Sequence, residues 1–361
     1  MSRKMNFFAG PSVLPVEVLH EMQDEIVDYR GAGLSIIEAS HRGGTFEEMY
    51  RECLDLLRSL MGIPENYDVF FLGGGATLQF AMIPFNFLRK GTVADYIKSG
   101  TWANKAVSDA KKIGDVHLYY DGTAQNFTSL PDPASVKPSN NSSYLYLCTN
   151  ETIGGIEWQD FPDTGDVPLI ADMSSDLLSR PVPVDRFGMI YGGVQKNLGP
   201  AGATLVILRK DMLERQNPNL PAYLDYALHA KEDGLYNTPP VFSIWGVKLV
   251  LDWIKRNGGA EGMAKRATLK SSIIYDTIDQ SGGFYRSPVD KNFRSKMNIC
   301  FRLATEELEE RFLAETKKAG MLGLKGHRSV GGLRASVYNA LPVEDVQALA
   351  DLMKEFQRTT G

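Results

Sequence analysis

Between Tyr67 and Leu208 the chain repeats one pattern: a short, nearly continuous apolar run, a turn, then a helical or polar stretch. The runs are Asp68–Leu72, Thr92–Lys98, Val116–Tyr120, Ser143–Thr149, Val167–Met173, Met189–Val194 and Ala203–Leu208. Strands this uniformly apolar have no solvent face, so helices must cover them on both sides. The expected architecture is therefore α/β, built on a mostly parallel seven-stranded sheet. After the second run, Ala103, Ala106, Val107, Ala110 and Ile113 recur at helical spacing, with Thr101 placed to cap that helix and Gly114 to stop it. Parallel sheets of this kind bind their ligands at the carboxyl ends of the strands, which is where chemistry is expected.

Beyond Pro240 a helix over Ser243–Arg256 closes on Gly258-Gly259, and the pattern changes. Helix Met263–Gln280, strand Met297–Leu303, helix Glu306–Ala319, strand Leu333–Tyr338 and helix Val343–Gln357 make a smaller α+β unit. At 361 residues the chain is long enough for two units. The expected division is a large domain over 16–259 and a small C-terminal domain over 260–361, preceded by a segment over 1–15. The stretch Asp121–Asn141 is rich in Pro, Ser and Asn and reads as a surface loop.

A net charge of −5 with interspersed signs leaves no basic stripe for nucleic acid or an acidic membrane surface, and no apolar run is long enough to span a bilayer. Cys53, Cys148 and Cys300 are isolated, and the five histidines form no zinc-ligand spacing. A reduced, cytoplasmic protein without a metal is expected.

Two strand ends carry the sharpest signal. PLIADMSS places Asp172, and YGGVQKNLGPAG places Lys196, at the same edge of the sheet. A lysine that ends an apolar strand among Gly192, Gly193, Gly199 and Gly202 sits in a crowded place, where burial lowers its pKa and frees the amine as a nucleophile. A carboxylate opposite it suits a protonated pyridine nitrogen. Taken alone, a surface loop lysine and a helix-capping aspartate are the more frequent reading of such residues, since most lysines are solvated. FFLGGGATLQF is strand, glycine turn and helix, in which the N–H groups of Ala76 and Thr77 could meet a phosphate or simply open a helix. Trp102, in SGTWANKA, is placed to lie flat on a ring or to pack in the core. Thr152, in CTNETIGG, is placed to hydrogen-bond a ring substituent or to be a plain loop residue. His41-Arg42 and His327-Arg328, each beside glycines, together with Arg334, look like anion readers in a chain of negative charge.

Nine blocks in order now resemble one family. They are NFFAGPSVLP, EASHRGGTFEE, GGGATLQFAMIP, SGTWANKA, CTNETIGGI, ADMSSDLLSRP, YGGVQKNLGPAG, YNTPPVFSIW and GHRSVGGLRASVYNA. Together they are similar to the phosphoserine aminotransferases, fold-type I enzymes of the class-V aminotransferase family that use pyridoxal 5'-phosphate. The resemblance implies a Schiff base between Lys196 and the cofactor, one per subunit, with Asp172 on the pyridine nitrogen and Trp102 on the ring face. It implies Thr152 near the phenolic oxygen and Ala76, Thr77 and Gln195 at the phosphate. Asn237 and Thr238 would reach the phosphate from the other subunit of a homodimer, and the 1–15 segment would lie near the active site. Arg334 would hold the substrate α-carboxylate, and His41, Arg42, His327 and Arg328 would read a distal phosphate or carboxylate.

The implied reaction moves the amino group of L-glutamate to 3-phosphohydroxypyruvate, giving O-phospho-L-serine and 2-oxoglutarate in serine biosynthesis. Family members also form 4-phosphohydroxythreonine on the way to pyridoxal phosphate. The chain departs from the commonest pattern at Ala9, Ala39 and Gly43, which flank the charged residues without altering them. A same-fold aminotransferase of alanine–glyoxylate or serine–pyruvate type would keep Lys196 and Asp172 but would not need the two His-Arg pairs. A non-enzymatic phosphate- or nucleotide-binding module would use GGGATLQ alone.

Overall fold

The seven apolar runs form one sheet in a computed structural model that describes residues 3–360. The strands are β1 (Tyr67–Leu72), β2 (Val93–Lys98), β3 (Val116–Asp121), β4 (Ser142–Cys148), β5 (Leu169–Asp172), β6 (Met189–Gly193) and β7 (Thr204–Arg209). Their spatial order is β1-β7-β6-β5-β4-β2-β3. β7 runs antiparallel to both its neighbours, and the other six point the same way. The sheet is thus mixed but mostly parallel, as the uniform apolar runs predict.

Alternation along each strand feeds two separate cores. On β4, Leu145 and Leu147 join one hydrophobic cluster, while Tyr144, Tyr146 and Cys148 join the other. β1 and β7 divide the same way, with Phe71 and Ile207 on the first face and Phe70 and Val206 on the second. Helices α1 (Val16–Glu25), α2 (Gly44–Met61) and α6 (Val241–Arg256) contribute to the first face; α3 (Gly75–Phe87), α4 (Thr101–Ala110) and α5 (Tyr226–Lys231) to the second. The α1 and α2 region, which the strand pattern does not reach, packs chiefly on α6. The turn from β1 into α3 needs Gly74: its φ is +83°, and a Cβ there would lie 2.5 Å from a Leu78 methyl carbon.

The C-terminal part contains α7 (Gly259–Asp279), β8 (Asn298–Phe301), α8 (Glu306–Lys318), β9 (Leu333–Ser336) and α9 (Val343–Thr360). β8 and β9 pair antiparallel, and a third core gathers Ile274, Phe301, Phe312, Leu349 and Met353 around them. Phe7 and Val13 belong to this same core, and Met5–Asn6 pair in parallel with Met321–Leu322. The segment over 1–15, where described, is therefore tied to the C-terminal unit at Met5–Asn6 before it reaches the sheet at Ser12, whose N–H donates to the Gln195 carbonyl at 3.0 Å.

Two boundary expectations need correction. β6 stops at Gly193, and Lys196 sits three residues further on, in a turn that folds back on Val194. Side-chain alternation ends there because the backbone turns to bring Leu198 N–H and Gly199 N–H onto the Val194 carbonyl. Thr101 is the first helical residue of α4 and caps nothing; the N-cap position is Gly100, and no side chain from it is available.

Lys270 shows how the C-terminal unit is fastened. It is fully buried on α7, and its ammonium donates to the carbonyls of Tyr338 at 2.5 Å, Leu341 at 3.1 Å and Asn339 at 3.4 Å, in the link between β9 and α9. Burial, with Arg266 nearby, pulls its pKa down to about 7, while the three carbonyls favour the charged form. Lys270→Met removes the ammonium from all three carbonyls, of which Tyr338 keeps the Leu341 N–H, and should lower the unfolding free energy by about 2–4 kcal/mol, measured by chemical denaturation.

Candidate active site

Three strand ends and two helix starts converge on a cavity of about 120 Å³ on the α3–α4 side of the sheet. Its lining includes Ala76, Thr77, Trp102, Thr152, Asp172, Gln195 and Lys196, the seven same-chain residues expected to surround the cofactor. Lys196 is buried, and its Nζ donates to Thr152 Oγ1 at 2.6 Å. The same Nζ lies 5.6 Å from the centre of the Trp102 ring. Burial lowers the Lys196 pKa below the usual lysine range, while the carboxylates of Asp172 and Glu151 act to raise it. The result is an amine that is more readily neutral than a surface lysine and therefore a better nucleophile.

Asp172 ends β5, and its position is set by three donors. Ser174 gives Oδ1 both its N–H, at 2.9 Å, and its hydroxyl, at 2.6 Å; Tyr191, its register partner on β6, donates to Oδ2 at 3.2 Å. The Tyr191 hydroxyl in turn lies 2.8 Å from that of Tyr146 on β4. A carboxylate held by this many donors keeps one orientation. Ser174 was legible as the neighbour in DMSS; Tyr191 was not, because strand register decides which β6 residue stands opposite Asp172.

Helix α3 begins at Gly75 with no side-chain cap, so the N–H groups of its first turn, at Gly75, Ala76 and Thr77, face the cavity rim. Helix N-termini of this kind favour an anion. The indole N–H of Trp102 is buried without a partner. A flat, hydrogen-bonding group with an aldehyde at one end and an anion at the other fits this donor set: an amine, a ring face, a carboxylate and an open helix start.

Outside the cavity, Arg334 on β9 donates from Nη1 to the Thr152 carbonyl at 3.1 Å, and its buried Nε has no partner. It stands between the Lys196 cavity and a wider cleft of about 480 Å³ lined by Asn126, Gly154, Cys300, Arg302 and Ser329. His327 lies near it; burial and then the charges of Arg334, Arg328 and Lys105 lower the His327 pKa. One His-Arg pair and Arg334 are therefore neighbours. The other pair, His41 and Arg42, lies on the turn before α2 and lines neither space. Asn237 and Thr238 are exposed on the surface ahead of α6 and are likewise outside the cavity. Besides Tyr191, two contributors escaped sequence reasoning: Glu151, discussed below, and Ser12, whose hydroxyl donates to the Lys196 carbonyl.

The chain is similar along its length to proteins of known activity. A family model described as aminotransferase class-V matches residues 5–349. A phosphoserine aminotransferase of Niallia circulans is 51% identical over 359 residues, covering 99% of each chain. The solved phosphoserine aminotransferase of Bacillus circulans subsp. alkalophilus superposes with a TM-score of 0.98 at 51% identity, covering 99% of each chain. The PLP-bound enzyme of Trichomonas vaginalis gives 0.89 at 38% identity, covering 98% of this chain and 100% of its own.

Because Asp172 raises the Lys196 pKa, Asp172→Asn should shift the pH midpoint of Lys196 reductive methylation in the apoprotein downward, followed by mass spectrometry.

Proposed function

The chain belongs to the class-V aminotransferase family, and from that membership we propose that it is a pyridoxal-phosphate-dependent phosphoserine aminotransferase. It moves the amino group of L-glutamate to 3-phosphohydroxypyruvate, releasing 2-oxoglutarate and O-phospho-L-serine. The observation that carries this reading is the buried Lys196 amine, set against an aromatic face, with Asp172 and an uncapped helix start in the same cavity.

When bound, pyridoxal phosphate supplies the carbonyl carbon that carries the amino group and the ring that takes up the electron pair left at the substrate Cα. This chain's residues do the rest. Lys196 is the tether and, once displaced by substrate, the base that moves the Cα proton; its lowered pKa leaves more of the amine neutral for that task. Asp172, fixed by Ser174 and Tyr191, offers a charged oxygen to the ring nitrogen. Thr152 offers its hydroxyl at the Lys196 end. The first turn of α3 and Gln195 hold the cofactor phosphate. Trp102 forms one wall and keeps water from that face.

Substrate is read by cations. Arg334 has a fork suited to a carboxylate and sits between Thr152 and the wider cleft, the position an α-carboxylate needs. His327 and Arg328 follow on the same side and suit the distal phosphate or γ-carboxylate. His41, Arg42, Asn237 and Thr238 lie outside this chain's cavity. Their place in the site rests on a homodimer, in which a partner subunit contributes them. No helix among the described residues is long and apolar enough to cross a membrane, which is in keeping with a cytoplasmic enzyme acting on small molecules.

Glutamate with 3-phosphohydroxypyruvate should turn over far faster than glutamate with glyoxylate in a coupled assay; equal rates would favour the alanine–glyoxylate type. Arg42→Ala or Arg328→Ala should weaken use of the phosphorylated keto acid by about 1.5–3 kcal/mol each, with a smaller effect on a neutral one. Lys196→Ala should abolish turnover, and borohydride, which fixes cofactor onto Lys196 in the unmodified protein, should fix none in this variant.

A further inference from the structure

Glu151 is a fully buried carboxylate one residue before Thr152, on a two-residue strand that pairs with Ile156–Glu157. No basic side chain hydrogen-bonds to it. Its Oε2 accepts the N–H of Trp102 at 3.0 Å and its Oε1 accepts the N–H of Ala103 at 2.8 Å. These are the second and third residues of α4, a ten-residue helix without a cap from its own flanking sequence. The cap comes instead from about fifty positions later in the chain. It supplies what a local Ser, Thr or Asp would supply elsewhere, with a carboxyl group facing the positive end of the helix.

The glycine before the helix fits the same arrangement. A Cβ on Gly100 would lie 2.5 Å from Glu151 Cδ and 2.7 Å from Oε2. Gly100 has an ordinary extended φ, so backbone conformation does not call for glycine there; the carboxylate occupies the space.

Trp102 depends on this contact more than a packed core residue does. Its side chain is only partly buried and its indole N–H has no partner. Lys105 lies 4.5 Å and Lys196 5.6 Å from the ring centre, and neither fixes the ring by a hydrogen bond. What orients the indole is the backbone at the start of α4, which Glu151 holds. The same residue's main chain runs directly into Thr152, which accepts from Lys196. Burial pushes the Glu151 carboxyl up to about 7, against the pull of the two N–H donors and of Lys196.

We propose that Glu151 is a positioning residue for cofactor binding: by clamping the first turn of α4 it holds the Trp102 ring in fixed register with Thr152 and Lys196. This rests on the reading above, in which Trp102 faces the pyridoxal phosphate ring. Without the clamp the cavity keeps its amine and its carboxylate but loses a defined separation between its aromatic wall and its nucleophile.

The experiment titrates the apoprotein with pyridoxal phosphate and records dissociation constant, cofactor-band circular dichroism and melting temperature. Its variants are Glu151→Gln, Gly100→Ala and Glu151→Asp. Glu151→Gln keeps the volume but sets an amide N–H against one of the two backbone donors. Gly100→Ala evicts the carboxylate without touching it. Both should raise the dissociation constant roughly tenfold, as expected for losing one charged hydrogen bond, and diminish the circular dichroism. Glu151→Asp keeps the charge on a shorter arm and should lie between these and the wild type. If Glu151→Gln fails to fold, Gly100→Ala and Glu151→Asp decide. Dissociation constants and dichroism within twofold of wild type, with only the melting temperature lowered, would overturn the proposal by making Glu151 merely structural. Failure of the wild-type protein itself to bind pyridoxal phosphate would instead overturn the functional reading on which the proposal rests.

Discussion

One amine kept out of water governs this molecule. An isolated buried ammonium is expensive, so Lys196 is tolerated only because its surroundings are prepared for it: Thr152 accepts its hydrogen bond, and Asp172 and Glu151 offset its charge. The parallel sheet supplies these partners from separate strand ends, Thr152 from beyond β4, Asp172 from β5 and the lysine from beyond β6. Residues far apart in sequence thus meet without any local motif having to hold them. Acid, amine and aromatic wall share one cavity because strands running in the same direction end at the same edge.

The balance of these charges is also what makes the lysine useful. Burial alone would depress its pKa without limit on its orientation; the carboxylates restrain the shift, and the hydroxyl fixes the direction of the amine. Asp172 in turn is held in one orientation by Ser174 and Tyr191, which leaves acceptor capacity on Oδ2 and keeps the carboxylate from swinging to the lysine. The cavity therefore keeps nucleophile and carboxylate as two distinct groups with room for a flat ring between their roles, rather than letting them neutralise one another.

Much of this was legible in the sequence, for physical reasons that can be named. Strands buried on both faces announce themselves as unbroken apolar runs, which is why all seven were found with ends within two residues of the observed ones. The glycine turn before α3 is visible because Gly74 must take a positive φ. Other features depend on pairing across the fold. Tyr191 reaches Asp172 only through the β5–β6 register, and Glu151 reaches α4 only because β4 and β2 are neighbours. Thr101 was the plausible local cap for α4, and the real one comes from a different strand end. The helices before β1 escaped because they belong to no strand-and-helix repeat. The two His-Arg pairs read alike in sequence, yet only the second stands beside Arg334 on this chain.

The path of the first described residues has a mechanical meaning. Met5–Asn6 are bonded to Met321–Leu322, and a few residues later Ser12 grips the carbonyls of both Gln195 and Lys196. Farther along, the backbone N–H of Asn339 donates to the side chain of Asn197, immediately after the lysine. The turn that carries the nucleophile is thus harnessed to the C-terminal unit at two points, one on each side of it in the chain. Any rocking of that unit against the sheet would be felt in the main chain of Lys196 itself, so Arg334 and the Lys196 amine belong to one linkage.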